Sequence, residues 1–550
     1  MTSGIRKNLR RLAAGLFAFA AVGGAQTADV EREEGIPVTD PIVIAKCGSC
    51  HTRDERGNMQ RISWERTTPE GWQEALRRMV LANGVSLTPP EARAIVKYLS
   101  TKHGLAPEEA RPVMYDPERR VHEESNIPTD HLRTSCTKCH AFGKALSWRR
   151  SLEDWRLLGN QHTEQHKVPR NDEAVAYLAK AAPLRTPEWT AWSGRTVPAS
   201  KLAGRWLVTA SVPGRGKYFG EMQVEPAGEE EFNTLVRLTS VRDGSTIIRS
   251  GRCVIYGGYG WRGRSKGNTP PSSADDLENE AREAIWIAPD QSMAEGRWFW
   301  GAYQEFGFDV SMRRPSTDTT LTLIDQTSLK IGSQGNRVRL IGDRVPEHVT
   351  PADVRLGDGV TVRRIVSRTS NEVVAEVDVA SDAAPGKRAI ALGRSSLPGA
   401  IAIYDRVDYI QVSPDSCLAA FGDPTHGLGY MQFEAIGYQR GPDGQLHTAD
   451  DVQLGPVDVN WSLEVFYAAE GASSDHVGKL SATGLFTPSA VNPNLNFDVF
   501  AVATAKAEKG KNGRPLVGKS YMVVTVPTYT FNGRKYVRDL DRWVDDGPAQ

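Results

Sequence analysis

Residues 45–52 read AKCGSCHT, and residues 135–141 read SCTKCHA. Each places two cysteines three apart with a histidine directly behind the second. On a helical turn Cys47, Cys50 and His51 fall at i, i+3 and i+4 and share one face, and Cys136, Cys139 and His140 repeat the arrangement. C-x-x-C-H is the attachment signal for c-type haem: the thiols form thioethers with the porphyrin vinyls and the imidazole reaches the iron. A bare C-x-x-C also suits a redox dithiol or half of a zinc site. The first sits in thioredoxin-like βαβ surroundings, which this sequence lacks, and the second does not need a histidine in register twice. Two covalently bound haems are therefore expected.

Outward from the motifs the chain repeats itself. ISWERTTPEGWQEALRRMVLANGVSLTPPEARAIVKYL follows the first, and LSWRRSLEDWRLLGNQHTEQHKVPRNDEAVAYL follows the second. Trp64 matches Trp148, Trp72 matches Trp155, and Tyr98-Leu99 matches Tyr177-Leu178. Seven residues beyond the second tryptophan stand Met79 in one copy and His162 in the other. Both residue types ligate haem iron, so they are the expected sixth ligands. Met59 and Met114 are rivals for the first site, and His166, His122 and His131 for the second; methionine on a helix is commonly core filler. In the first copy Thr88, Pro89 and Glu91 spell a capping box, followed by an apolar stripe of Ala92, Ile95, Val96 and Leu99. Asn171 is the expected cap of the matching helix, with Val175 and Leu178 inward. A thioether ligand favours ferrous iron relative to a second imidazole, which sets the His51/Met79 haem at the higher potential and the His140/His162 haem at the lower.

The chain carries 67 basic and 67 acidic residues, which excludes the basic footprint of a nucleic-acid binder. Arg6, Lys7, Arg10 and Arg11 precede LAAGLFAFAAV and then GGAQTA, the pattern of a secretory signal peptide over residues 1–25. The apolar run is too short to span a bilayer, and no later stretch approaches that length. Removal of these residues leaves four more acids than bases. The expected mature protein is soluble and exported, with no membrane segment.

A diheme cytochrome region is expected over 26–198, ending in the linker-like APLRTPEWTAWSGRTVPAS. Strands such as RWLVTASV, TLVRLTSV and TIIRSGRCVIY, separated by glycine-rich turns, predict a β-barrel over 199–314. Within it SSADDLENEARE reads as a solvated loop or short helix, and RWFWGAYQEFGFDV as core. Val373, Ala375, Val377 and Val379 alternate with Glu376 and Asp378, the period of a half-buried strand. Such segments predict an immunoglobulin-like sandwich over 315–401 and a second over 402–550. The fold class is thus an α-helical cytochrome followed by all-β domains. No G-x-S-x-G, H-E-x-x-H or phosphate loop occurs. GPDGQLHTADD, residues 441–451, is rich in oxygen ligands but lacks EF-hand spacing, so a polar turn is favoured over a calcium site. Cys253 and Cys417 are the two remaining cysteines, and whether they form a disulfide is open because they fall in different domains.

CGSCH and CTKCH in a two-haem region followed by three β domains in this order resemble the α subunit of quinohemoprotein amine dehydrogenase. The resemblance implies a periplasmic heterotrimer that oxidises primary amines, with a β-propeller subunit and a small subunit bearing a tryptophylquinone. It implies that this chain has no catalytic residue of its own and hands electrons to a blue-copper protein or a cytochrome c. Cys47, Cys50, His51, Cys136, Cys139 and His140 match the family's attachment motifs. The alternatives are a free-standing exported diheme carrier whose β domains bind a surface, glycan or partner protein, and a diheme peroxidase, which would need a peroxide-accessible haem and its own acid–base residues and which no motif supports.

Overall fold

The computed structural model describes residues 33–114, 127–132, 142–195, 197–465, 476–493, 495–526, 534–537 and 542–545. The expected signal peptide lies outside the described residues, as do Cys136, Cys139, His140 and His122. Among the described residues no helix is long and apolar enough to cross a membrane.

The helical region consists of two copies of one unit. In the first, α1 (Pro41–Cys47) precedes a short strand β1 (Glu65–Thr67), then α2 (Pro69–Asn83) and α3 (Pro89–Lys102). After α4 (Pro107–Ala110) the second runs α5 (Phe142–Leu146), β2 (Trp148–Arg150), α6 (Leu152–His166) and α7 (Asp172–Ala181). Local chemistry sets the boundaries. Asp40 caps α1, Thr68 and Ser151 cap α2 and α6, and Asn171 caps α7. The Thr88–Glu91 capping box closes on α3: the Glu91 carboxylate accepts from Thr88 N–H at 2.8 Å, and Glu91 N–H donates to Thr88 Oγ1 at 3.4 Å. Ile95, Val96 and Leu99 are buried, as their spacing predicts.

The units meet along a pseudo-twofold axis. β1 and β2 pair antiparallel, with Arg66 opposite Arg149 at the centre, Glu65 opposite Arg150 and Thr67 opposite Trp148. Equivalent bonds flank the axis: Thr67 N–H and Trp72 Nε1–H donate to His103 O, while Arg150 N–H and Trp155 Nε1–H donate to Ala182 O. His103 and Ala182 are in turn the C-caps of α3 and α7. The structural repeat therefore runs one residue out of step with the matched Trp64 and Trp148. Trp64 ends a 3₁₀ turn before β1, whereas Trp148 opens β2. The first copy carries an extra residue ahead of its helix cap.

Glu109 of α4 sits at this junction. Its carboxylate accepts from Arg66 at 2.8 and 3.0 Å, from Arg149 at 3.2 Å and from Thr186 Oγ1 at 2.8 Å. Arg66 is fully buried and Arg149 and Glu109 nearly so. The two guanidiniums hold the Glu109 carboxyl at about 2, against its burial.

The stretch expected as a linker is a packed element. Thr186 caps α8 (Pro187–Trp192), and Trp189 and Trp192, one turn apart, are buried against Leu105, Val113, Tyr259 and Trp286. Its proline and small residues resemble a loop, but two indoles provide the apolar face that a linker lacks.

The barrel is closed, with eight antiparallel strands from Gly204–Val212 to Phe306–Arg313. Side chains fill its interior, as expected for this strand number. Trp206, Trp261, Trp298 and Phe308 are among its fully buried rings. The expected solvated loop folds back over the barrel mouth. Leu277 enters the core, the buried Arg249 donates to the carbonyls of Leu277 and Asn279, and Trp300 Nε1–H donates to Ala274 O at 2.9 Å. Of RWFWGAYQEFGFDV, Trp298, Phe299, Trp300, Phe306 and Phe308 are buried. The barrel also packs on the helical region, where Tyr259 Oη–H donates to Leu105 O, Trp286 Nε1–H to Pro107 O, and Arg262 pairs with Glu70.

Beyond the barrel, two four-stranded sheets spanning Thr320–Tyr404 enclose one core, into which Val373, Ala375, Val377 and Val379 project. A further core follows between a four-stranded sheet (strands within Ser416–Thr525) and two three-stranded sheets. Cys253 is buried in the barrel wall and Cys417 lies in this last domain, and both are free thiols. Burial pushes both thiols up. In the 441–451 turn the carboxylates are spent on the chain itself: Asp451 accepts from Gly441 N–H, Thr448 N–H and Tyr409 Oη–H, and Asp450 accepts from Asp443 N–H. Among the described residues no cluster of three metal-ligating side chains occurs.

Phe308 lies against Tyr218, Trp298 and Trp300 with none of its surface exposed. Phe308→Ala is expected to destabilise the barrel by about 3–5 kcal/mol, read from the urea midpoint of the transition that tracks tryptophan fluorescence.

Candidate haem-binding site

The turn that ends α1 carries the first motif. Cys50 N–H and His51 N–H both donate to Cys47 O, at 3.2 and 2.9 Å, so one helical turn presents Cys47, Cys50 and His51 together. Cys47 is half-buried against a core of Val38, Val43, Trp72 and Leu99, and burial pushes its thiol up; Cys50 is exposed. His51 Nδ1 lies 2.9 Å from Gln60 O. A carbonyl only accepts, so Nδ1 carries the proton and Nε2 keeps its lone pair for a metal. Ile42, Ile44, Leu76, Leu87 and Tyr98 pack on the same core with part of their surface open. Two thiols, a pre-set imidazole and a half-open apolar wall fit a c-type haem.

The wall continues along α2. Trp72, Leu76 and Met79 lie at i, i+4 and i+7, one stripe of the helix. In α6 the corresponding stripe is Trp155, Leu158 and His162, with Trp155 and Leu158 packed on Val175 and Leu178 of α7. Met79 and His162 are equivalent by three criteria. Each stands eleven residues after its helix cap, Thr68 or Ser151. Each is followed five residues later by a left-handed C-cap, Gly84 or Lys167, whose N–H donates back to the carbonyl of Met79 or His162. That carbonyl accepts a second bond, from Val85 or Val168. Both side chains are half-buried. His162 Nδ1 lies 2.9 Å from Leu158 O, which selects the tautomer whose Nε2 lone pair is available to a metal. Asn83 Nδ2–H donates to the Met79 sulfur at 3.7 Å.

The rivals are placed differently. Met59 is fully buried in the core beside Cys47, and Met114 belongs to the cluster around Trp189 and Trp286. His166 is exposed with its ring 5.6 Å from that of His162, and His131 lies 3.9 Å from Glu173. Cys136, Cys139 and His140 lie outside the described residues, so the second site is seen only from its α6 and α7 side.

Sequence reading passed over His103. It is fully buried between the rings of Trp72 and Tyr98, at 6.2 and 6.1 Å, and neither ring nitrogen meets hydrogen-bond geometry among the described residues. Burial, helped by the charge of Arg66, lowers its pKa to about 4, although the carbonyls of Glu65 and Ile62 oppose the shift. A histidine directly after the closing helix was the only signal for it.

Residues 38–177 match the haem-binding domain of the quinohemoprotein amine dehydrogenase A alpha subunit. Residues 199–315, 318–405 and 410–535 match domains II, III and IV of the same subunit. No curated protein sequence matches the chain. Among solved structures, a de novo designed fluorescence-activating β-barrel covers 22% of this chain and 100% of its own at 17% identity, with a TM-score of 0.17. Human protocadherin-24 EC1-2 covers 39% of this chain and 100% of its own at 14% identity, with a TM-score of 0.16. Likeness at that level carries no argument. A duplicated helical unit with a haem-binding profile, followed by a barrel and further β domains, defines a haem-binding subunit of an oxidoreductase. The chain belongs to the quinohemoprotein amine dehydrogenase alpha subunit family.

Because folded His103 resists protonation, its contribution to stability is fully present above the ordinary histidine pKa near 6.5 and is lost as pH falls through about 4. The loss is on the order of 3 kcal/mol. His103→Gln is expected to flatten the fall in unfolding free energy between pH 7 and pH 4, measured by denaturant titration.

Proposed function

We propose that this chain is the electron-transfer subunit of a periplasmic amine dehydrogenase and holds two covalent c-type haems. Cys47 and Cys50 attach the first and Cys136 and Cys139 the second, with His51 and His140 as proximal ligands and Met79 and His162 as sixth ligands. The observation that carries this reading is the equivalence of Met79 and His162 under the pseudo-twofold, since two residues able to ligate iron occupy one position of a duplicated helix. Bound haem supplies one-electron redox chemistry. The protein supplies the difference between the sites, because a Met79 thioether favours the ferrous state relative to the His162 imidazole.

The amine-oxidising centre belongs, on this reading, to a tryptophylquinone on a separate small subunit, with a β-propeller as third partner. The chain takes electrons on the His140/His162 side, passes them to the His51/Met79 side, and delivers them to a blue-copper protein or a cytochrome c. The two sheet-built domains after the barrel are immunoglobulin-like sandwiches that serve as mounts for partners. The family of the chain and the ready imidazoles of His51 and His162 support this reading.

Two experiments test it. Anaerobic addition of a simple primary amine to the native periplasmic complex is expected to reduce both haems promptly. Haems that stay ferric with several amines yet reduce with dithionite would instead favour a free-standing carrier. For the ligands, redox titration of Met79→His is expected to lower the upper midpoint and that of His162→Met to raise the lower one. Unchanged potentials and spectra in both variants would refute the assignment.

A further inference from the structure

We propose that Arg66, Glu109 and Arg149, two guanidiniums on one carboxylate with a net charge of plus one among the described residues, form an electrostatic set point shared by the two haem sites. The inference rests on the two-haem reading above.

The charge count follows from the contacts. Two guanidiniums meet a single carboxylate: Arg66 binds it through two nitrogens and Arg149 through one. Other donors of the pair go to neutral carbonyls, Leu184 O and Gly104 O from Arg66, and Leu146 O and Trp148 O from Arg149. The nearby Arg61, Glu65, Arg150 and Asp154 form their own group with equal numbers of each sign. Guanidinium does not deprotonate in proteins, and Glu109 remains ionised, so the triad keeps a net charge of plus one at any working pH.

Symmetry then makes the charge common property. Arg66 and Arg149 are the central pair of the β1–β2 ladder, and α2 and α6 leave that ladder in equivalent ways toward Met79 and His162. A charge at the centre of that ladder lies where the two helices diverge, so it acts on both positions. It is also buried, so solvent screens it less than a surface charge. Positive charge favours the reduced state of an iron site. The triad should therefore raise both potentials together and leave their difference to the axial ligands. These are positioning and field residues, not residues that touch the haem.

The test is an anaerobic redox titration of the intact haem-loaded complex, followed by haem absorbance. The unmodified protein is expected to show two one-electron waves. Glu109→Gln keeps the shape and an acceptor oxygen but removes the negative charge, and it should move both waves upward. Arg149→Met removes a positive charge and should move both downward; Arg66→Met should do the same and substitutes for it if that variant does not fold. The expected shift is severalfold in each reduction equilibrium, where tenfold corresponds to 59 mV for one electron. Loosened packing has no reason to reverse sign between variants. Shifts in one wave only, shifts of the same sign in the glutamate and arginine variants, or none at all would overturn the set point while leaving the two-haem reading intact. A single wave in the unmodified protein would overturn that reading, and the set point with it.

Discussion

A carboxylate shared between two arginines holds the helical region together. Arg66 and Arg149 come from equivalent strands of the two units, and without Glu109 two buried guanidiniums would face each other across the β1–β2 ladder. Removing one member of a buried ionic group typically costs about 3–5 kcal/mol, because the remaining charge is left without compensation. The contact spans 43 residues to one side and 40 to the other, so it also fixes where α4 crosses between the units. Thr186 joins the same carboxylate and Arg66 stacks on Trp189, which brings α8 onto the junction. Through Tyr259 and Trp286 the barrel then packs on that assembly. The order of dependence runs from one charge cluster outward to the β domains.

Much of the helical region was legible because its signals are local. The Thr88–Glu91 box, the Asn171 cap and the Ile95–Leu99 stripe are each set by residues within a turn or two of one another. The equivalence of Met79 and His162 was legible for another reason: duplication preserved the distance from tryptophan to ligand. It did not preserve the distance from the first tryptophan to the helix cap, which is one residue longer in the first copy, so the matched Trp64 and Trp148 are a residue out of step. Strand alternation around Val377 likewise told its own burial.

The misreadings share a different cause. Leu277 sits in a polar stretch, and what draws it inward is Arg249, a buried cation in another strand whose donors need carbonyl partners. Trp189 and Trp192 look like linker aromatics until Tyr259 and Trp286 arrive from the barrel. Glu109 stands in the unremarked run PEEA, and no period marks the second acid as the one that turns inward. Each of these depends on a partner tens of residues away, information that periodicity and capping rules do not hold.

The pseudo-twofold axis also bears on how such a protein could arise. A symmetric homodimer of one haem unit must present every off-axis group twice, so the carboxylates at its seam come in even numbers and balance the two arginines completely or not at all. Covalent duplication lifts that restriction. With both units on one chain, the connecting segment belongs to neither copy, and it can deliver a single acid to the seam. The odd charge at the seam of the helical region is thus something only a fused pair can own, a reason for the two units to stay joined that is independent of how fast they fold or how tightly they would otherwise associate.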